Sequence, residues 1–252
     1  MQLKKIIAIL VIFVCVGTVL SAQDFGISFG GGVLLDWNFG NGMKFTNGDN
    51  TISGGTRNMS FGGYAFLDVT YAEIDVSFSY GGLTQAVKAK GDYKEAEMKD
   101  YGFTNGGDGG SVLQLGFTLL GKYPVKMGQL TVFPLLGVGY NMVLSHSKTD
   151  YPIAEVKDGD KVVTPERKIS ELNQFSILGG GGLDYNINRN LYLRISALAQ
   201  LRFASKALSD SVSAADDGIS EAKKLYPDVD YPSVSTVLGF GPVIKVGVGY
   251  RF

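Results

Sequence analysis

From Phe25 onward the chain alternates apolar and polar residues with a period of two. Phe25, Ile27, Phe29, Val33, Leu35, Trp37 and Phe39 fall on one face, and Gly26, Ser28, Gly30, Gly32, Asp36 and Asn38 lie between them. Successive side chains of a strand point to opposite sides, so the pattern predicts a strand with one greasy face and one small or polar face. It returns through Met59–Tyr71, Ile74–Tyr80, Leu113–Tyr123, Leu130–Met142, Phe175–Tyr185, Leu191–Phe203 and Val234–Phe252. Most of these runs reach the roughly 9–11 residues that a tilted strand needs to cross a bilayer.

The joints between runs alternate in length. Ala72, Pro124–Gly128 and Asn188–Asn190 mark tight turns, whereas Gly40–Arg57, Lys88–Gly110, Ser145–Glu171 and Ala204–Pro232 are long and polar. Long connections confined to one end predict an all-β fold, a closed antiparallel transmembrane β-barrel of about eight strands. The turns would be periplasmic and the four long loops extracellular. The aromatics fit two interfacial belts. Tyr71, Tyr123, Tyr185 and Tyr250 close the four descending strands, and Trp37, Phe39, Phe61, Tyr80, Tyr140, Phe175 and Phe203 mark the opposite rim. Amphipathic rings prefer the two interfaces, although aromatics are also good strand formers.

The start of the chain breaks the pattern. Lys4 and Lys5 precede an apolar run from Ile6 to Val14, and Ser21 and Ala22 offer small residues for cleavage. Residues 1–22 thus read as a cleavable export signal and 23–252 as the barrel domain. A spanning helix is the alternative, but Gly17 and Thr18 interrupt the apolar stretch. Lipoprotein processing at Cys15 would want a small residue where Val14 stands. Cys15 is the single Cys, so the exported chain would hold neither thiol nor disulfide.

Composition adds three constraints. The 35 glycines among 252 residues lack a collagen period and call for many turns or crowded backbone. A net charge of -1 and the lack of a basic stripe argue against a nucleic-acid partner. No cofactor is expected.

The last residues, Ile244-Lys245-Val246-Gly247-Val248-Gly249-Tyr250-Arg251-Phe252, resemble the terminal strand of outer-membrane barrels. The whole predicted barrel is similar to the small barrels of the OmpA transmembrane, OmpX and OmpW type. The resemblance implies a location in the bacterial outer membrane after export to the periplasm, among outer-membrane lipids. It further implies that Tyr250 and Phe252 carry the signal read by the barrel assembly machinery. Pro134 and Pro242 depart from the pattern, and a local bulge is expected at each.

Function then divides between the lumen and the loops. The charged residues on inward positions are Asp36, Asp68, Asp75, Lys122, Asp184, Arg194, Arg202 and Lys245. They would pair across the lumen, since unpaired buried charge is costly, or they would line a narrow path for ions or small solutes. Leu34, Leu120, Phe133, Leu135, Leu178 and Leu198 also point inward. They pack among the inward glycines or, by resemblance to OmpW-type barrels, line a route for hydrophobic molecules. The loops offer an adhesin-like contact surface for a host molecule or lipid headgroups, and Ser213–Tyr226 has near-helical spacing. Catalytic and metal sites are not expected. A membrane-embedded lipid-modifying enzyme centred on His146, by resemblance to small outer-membrane lipid A deacylases, is the third reading. His146 lies one residue from both Ser145 and Ser147, so in a continuing strand neither serine shares its face. Asp216-Asp217 lacks calcium-loop spacing.

Overall fold

The computed structural model describes residues 26–90, 108–147, 156–158, 161–163 and 169–252. The export signal expected at 1–22 lies outside these residues. Eight long strands form the barrel: β1 (Ile27–Asn47), β2 (Asn50–Val69), β3 (Ala72–Lys90), β4 (Asp108–Lys122), β5 (Leu130–His146), β6 (Gln174–Asn186), β7 (Leu191–Arg202) and β8 (Gly239–Arg251). Each pairs antiparallel with the next, and β1 pairs with both β2 and β8. The ring therefore has no free edge, the condition a sheet must meet where no water is available to satisfy its backbone. The shortest strand, β7, has 12 residues. At about 3.3 Å per residue and a tilt of about 45° it rises roughly 28 Å, close to the hydrocarbon thickness of a bilayer.

One end of the barrel carries tight turns. Val69 pairs with Ala72 across Thr70–Tyr71, with Thr70 at a φ of +44°. Beyond β4, Val125–Met127 continues the ladder with β5 to a turn in which Gly128 has a φ of +66°. Between β6 and β7 the Asn188 side-chain oxygen accepts the N–H groups of Asn190 and Leu191 at 2.9 and 2.8 Å, an Asn-built turn.

At the other end the first long connection differs from expectation and the last holds a helix, while most of Lys88–Gly110 and of Ser145–Glu171 lies outside the described residues. Gly40–Arg57 is not a loop: β1 and β2 stay paired until Asn47 meets Asn50 across Gly48 and Asp49, with Gly48 at a φ of +56°. Its Thr, Ser and Ile residues are strand-competent, and a two-residue turn led by Gly suits a hairpin. A longer helix than Ser213–Tyr226 forms in the last connection. This helix, α1 (Lys206–Leu225), starts at Ser205, whose hydroxyl accepts the Leu208 N–H at 3.3 Å. After it, Ser233–Val237 pairs with Gly42–Thr46 of β1.

The prolines also correct an expectation. Neither Pro134 nor Pro242 makes a bulge, for the registers of β5 with β6 and of β7 with β8 run through both without a shift. Each proline instead interrupts the ladder on its other side. The β1–β8 pairing resumes in the same register at Phe39 and Phe240 after a gap at Pro242. A missing N–H removes one ladder bond without requiring an extra residue.

Candidate functional site

The outer wall inverts the usual globular arrangement. Phe29, Val33, Leu67, Val76, Phe78, Leu136, Val138, Ile177, Ile195, Val246 and Val248 are exposed around the whole ring, while twenty polar or charged residues among those described are buried. A continuous apolar band of this extent has no place in water. Aromatic residues flank it. At the turn end Tyr71 stacks on Tyr123 at 6.3 Å, and Phe29, Tyr250 and Phe252 cluster within 5.4 to 6.2 Å. There too the Tyr185 hydroxyl donates to Gln129 at 3.3 Å. At the loop end Phe61 pairs with Tyr80, Tyr140 with Phe175 and Trp37 with Met59. Phe203 lies 5.9 Å from Phe175.

Inside the barrel, the half nearer the turns is filled by charge. Arg194 donates through Nε and Nη2 to both oxygens of Asp184 at 2.7 and 2.8 Å, and through Nη2 to Asp68 at 2.6 Å. Its Nη1 bonds Glu73. Lys122 shares the Asp68 carboxylate, Lys245 bonds Asp75, and Arg251 reaches within 4.0 Å of Asp184. Four carboxylates thus meet four cations. Arg194 and Glu73 are each 1% exposed and Asp75 is 0% exposed. Desolvating ions to this extent is tolerable only with such close pairing.

Rings hold the cations from the side. The Arg194 guanidinium lies 4.5 Å from the Phe66 ring centre, 5.1 Å from Phe133 and 5.2 Å from Tyr192, while Lys122 sits 4.7 Å from Phe133. The inward glycines make room for these rings. A Cβ at Gly30 would strike Phe66, one at Gly182 would strike Phe133, and one at Gly249 would strike Tyr192. At these three positions glycine seats an aromatic ring, while at Gly32, Gly62, Gly137 and Gly180 it admits the backbone of the neighbouring strand. Next along the axis, Leu120, Phe133, Leu135, Leu178, Leu198 and Val243 form an apolar cluster.

Nearer the loops the lumen turns to amides and hydroxyls. Arg202 bonds Asp36 and accompanies Gln200 at 3.1 Å, and Gln200 donates to Ser176 at 2.8 Å. Cross-strand neighbours Asp36 and Ser60, and Asn38 and Asn58, lie on the facing wall. One oxygen of each, and Nε of Arg202, is buried without a partner among the described residues. On the β4–β5 side, Leu172 and Ala207 of the loop segments pack against Val112 and Val143.

Seven of the eight inward charges read from the sequence are buried, six of them at 4% exposure or less and Asp36 at 8%, while Lys122 is half-buried with its charged side chain turned inward to Asp68. The eight fall into two groups, Asp68, Asp75, Lys122, Asp184, Arg194 and Lys245 nearer the turns and Asp36 with Arg202 nearer the loops. Glu73, on the polar face of its strand with Asp75 two residues on, joins the set through Arg194. Sequence reasoning omitted Tyr64, Phe66 and Tyr192, whose parity matches Asp68 and Arg194. At the rim, Ser147 pairs with Ser111, accepting its N–H at 2.8 Å, and His146 stands across the ladder from Val112. Among the described residues no cluster of metal-ligating side chains occurs.

A closed ring of eight strands, apolar outside and charged within, defines a membrane-spanning β-barrel. No family model matches the chain, and no curated protein matches it. Among solved structures it is similar to the crystal structure of the outer membrane protein OprG from Pseudomonas aeruginosa. The identity is 13% and the TM-score 0.43, over 91% of this chain and 97% of that one. The barrel assignment itself rests on the ring of strand pairings.

Proposed function

We propose that this chain is an exported outer-membrane protein, of the small OmpA, OmpX and OmpW type, that acts through its loop end on the cell surface. In this reading residues 1–22 direct export, Tyr250 and Phe252 are read by the assembly machinery, and the aromatic rows anchor the barrel among outer-membrane lipids. The single observation that carries the surface role is the Arg194 network, which with the apolar layer beside it fills the lumen. Among the described residues, a filled lumen leaves α1 and the β1–β2 hairpin as parts that can meet an external ligand. The test is conductance of the refolded chain in a planar lipid bilayer, with insertion verified by heat-modifiable gel mobility. Inserted protein should be silent. A second reading, a narrow channel, is favoured by the unpartnered polar atoms near Asp36 and Asn38. Discrete openings altered by Lys122→Gln or Lys245→Gln would establish that reading and remove the first.

A further inference from the structure

We propose that the outer wall beside the bulge in β1 seats the phosphate-bearing headgroup of an anionic membrane lipid, held by Arg57 and Lys44. The inference rests on the reading of the chain as a membrane barrel and adds a specific lipid site to it.

A groove of about 350 Å³ opens on the wall there, lined by Phe39, Gly40, Ser53, Gly55, Arg57 and Val237. Its origin is local. The β1–β2 register shifts between Gly40 and Gly42, and the β1–β8 side skips from the Phe39–Phe240 pair to the Gly42–Val237 pair. Gly40 has a φ of +105°, and a Cβ at Gly55 would strike the Gly40 carbonyl, so the floor must stay bare backbone.

Two cations flank this floor. Arg57 pairs across the ladder with Phe39, and Lys44 pairs with Ser53, so each shares the outward face of its partner. Arg57 is exposed and Lys44 half-buried. Neither has a salt bridge among the described residues. The acids of this hairpin are elsewhere: Asp36 and Asp68 are turned into the lumen, and Asp49 is at the tip. Four residues separate Arg57 from Ser53, about 13 Å along the strand, a span that a headgroup can bridge.

The level on the wall identifies the occupant. Below the groove the outward positions are Phe39, Met59 and Phe61; above it they are Gly42, Lys44, Gly55 and Ser53. The wall changes from apolar to polar at the Phe39–Arg57 pair, which is where lipid phosphates lie. Arg57 offers a fork of donors suited to phosphate, and Lys44 adds a second positive charge.

Trp37 provides the probe, since it is the single Trp of the chain and lies two residues from Phe39 on the same strand. The refolded chain is placed in phosphatidylcholine vesicles containing phosphatidylglycerol, with brominated chains on one lipid or the other, and quenching of Trp37 is measured. Phosphatidylglycerol should be enriched next to Trp37 over phosphatidylcholine, and Arg57→Gln or Lys44→Gln should each lower that preference about fivefold. Lys126→Gln, a change at the turn end, should leave it unaltered. Equal quenching by the two lipids in the unmodified chain overturns the site. So does a preference that survives Arg57→Gln with Lys44→Gln, or one that Lys126→Gln lowers as much. Quenching by neither lipid overturns the membrane-barrel reading itself, a failure distinct from loss of preference.

Discussion

The two halves of the lumen solve the problem of buried polarity differently. Near the turns, Asp68, Glu73, Asp75 and Asp184 are answered by Lys122, Arg194, Lys245 and Arg251, and rings wall off the cluster. Near the loops, a single ion pair between Arg202 and Asp36 stands among amides and hydroxyls, several with an unanswered oxygen. The turn half is locked because its ion pairs are interlinked, three carboxylates sharing Arg194, and Asp75 depending on Lys245. The loop half is more permissive, for its polar atoms are mostly neutral and lie toward the mouth. The contrast is not absolute, since Tyr64, Asp75 and Ser196 each carry an unpartnered oxygen in or beside the locked half.

The largest effect should come from Arg194→Met. It leaves three carboxylates without their shared partner, and a loss of about 3–5 kcal/mol is expected, read as the urea midpoint of unfolding from lipid vesicles. Arg202→Met breaks one pair in the permissive half, and about 1–3 kcal/mol is expected by the same assay. Equal losses from the two variants would abolish the distinction between the halves. Gly182→Val forces a side chain onto the Phe133 ring, and overpacking of this kind costs about 1–3 kcal/mol. If Gly182→Val is neutral, the rings have room to move and the turn half is looser than described.

Solvent access sharpens the comparison further. In a Cys15→Ser background, a thiol introduced at Asn38 or Asn58 should react with a small water-soluble reagent faster than one at Ser28, which is buried against Tyr192 at the turn end. Faster reaction at Ser28 would reverse the distinction between the permissive and the locked half. The smallest effect lies outside the membrane at the start of α1. A hydrogen bond to Asp210 holds the Lys206 ammonium above its ordinary value of 10.5, with the charges of Asp210 and Glu171 adding to the effect. Because the folded value is raised, this contact is complete below the ordinary Lys value and is lost as pH climbs through the folded one. Helical circular dichroism should decline slightly there, and Lys206→Gln should remove that pH step while leaving the barrel signal unchanged.

Much of the fold could be read from the chain. Alternation at Phe29–Phe39 or Val246–Tyr250 reports two faces because a strand has a period of two, and the tight joints at Ala72 and Asn188 punctuate it. The loop regions were harder. Thr, Ser and Gly in Gly40–Arg57 serve a polar loop or a solvated hairpin equally well, and only pairing with β3 and with Ser233–Val237 makes the hairpin. In α1, Leu208, Val212, Ala215, Ile219 and Ala222 carry helical spacing from an earlier start than Ser213, but Ser, Asp and Gly residues dilute the signal. Glu73 could have been placed with Asp75 from parity alone. The unpartnered position of Arg57 could not, because its significance depends on where the apolar wall ends.

By itself, then, the sequence determined the period, the two faces, the rough number of strands and the types of residue turned inward, since these follow from local geometry. Tertiary structure decided which charges meet and which glycines receive rings. Arg194 and Glu73 are 121 residues apart and Lys245 and Asp75 are 170 apart. Such meetings depend on the register with which the last strand closes onto the first, and no local pattern carries that register.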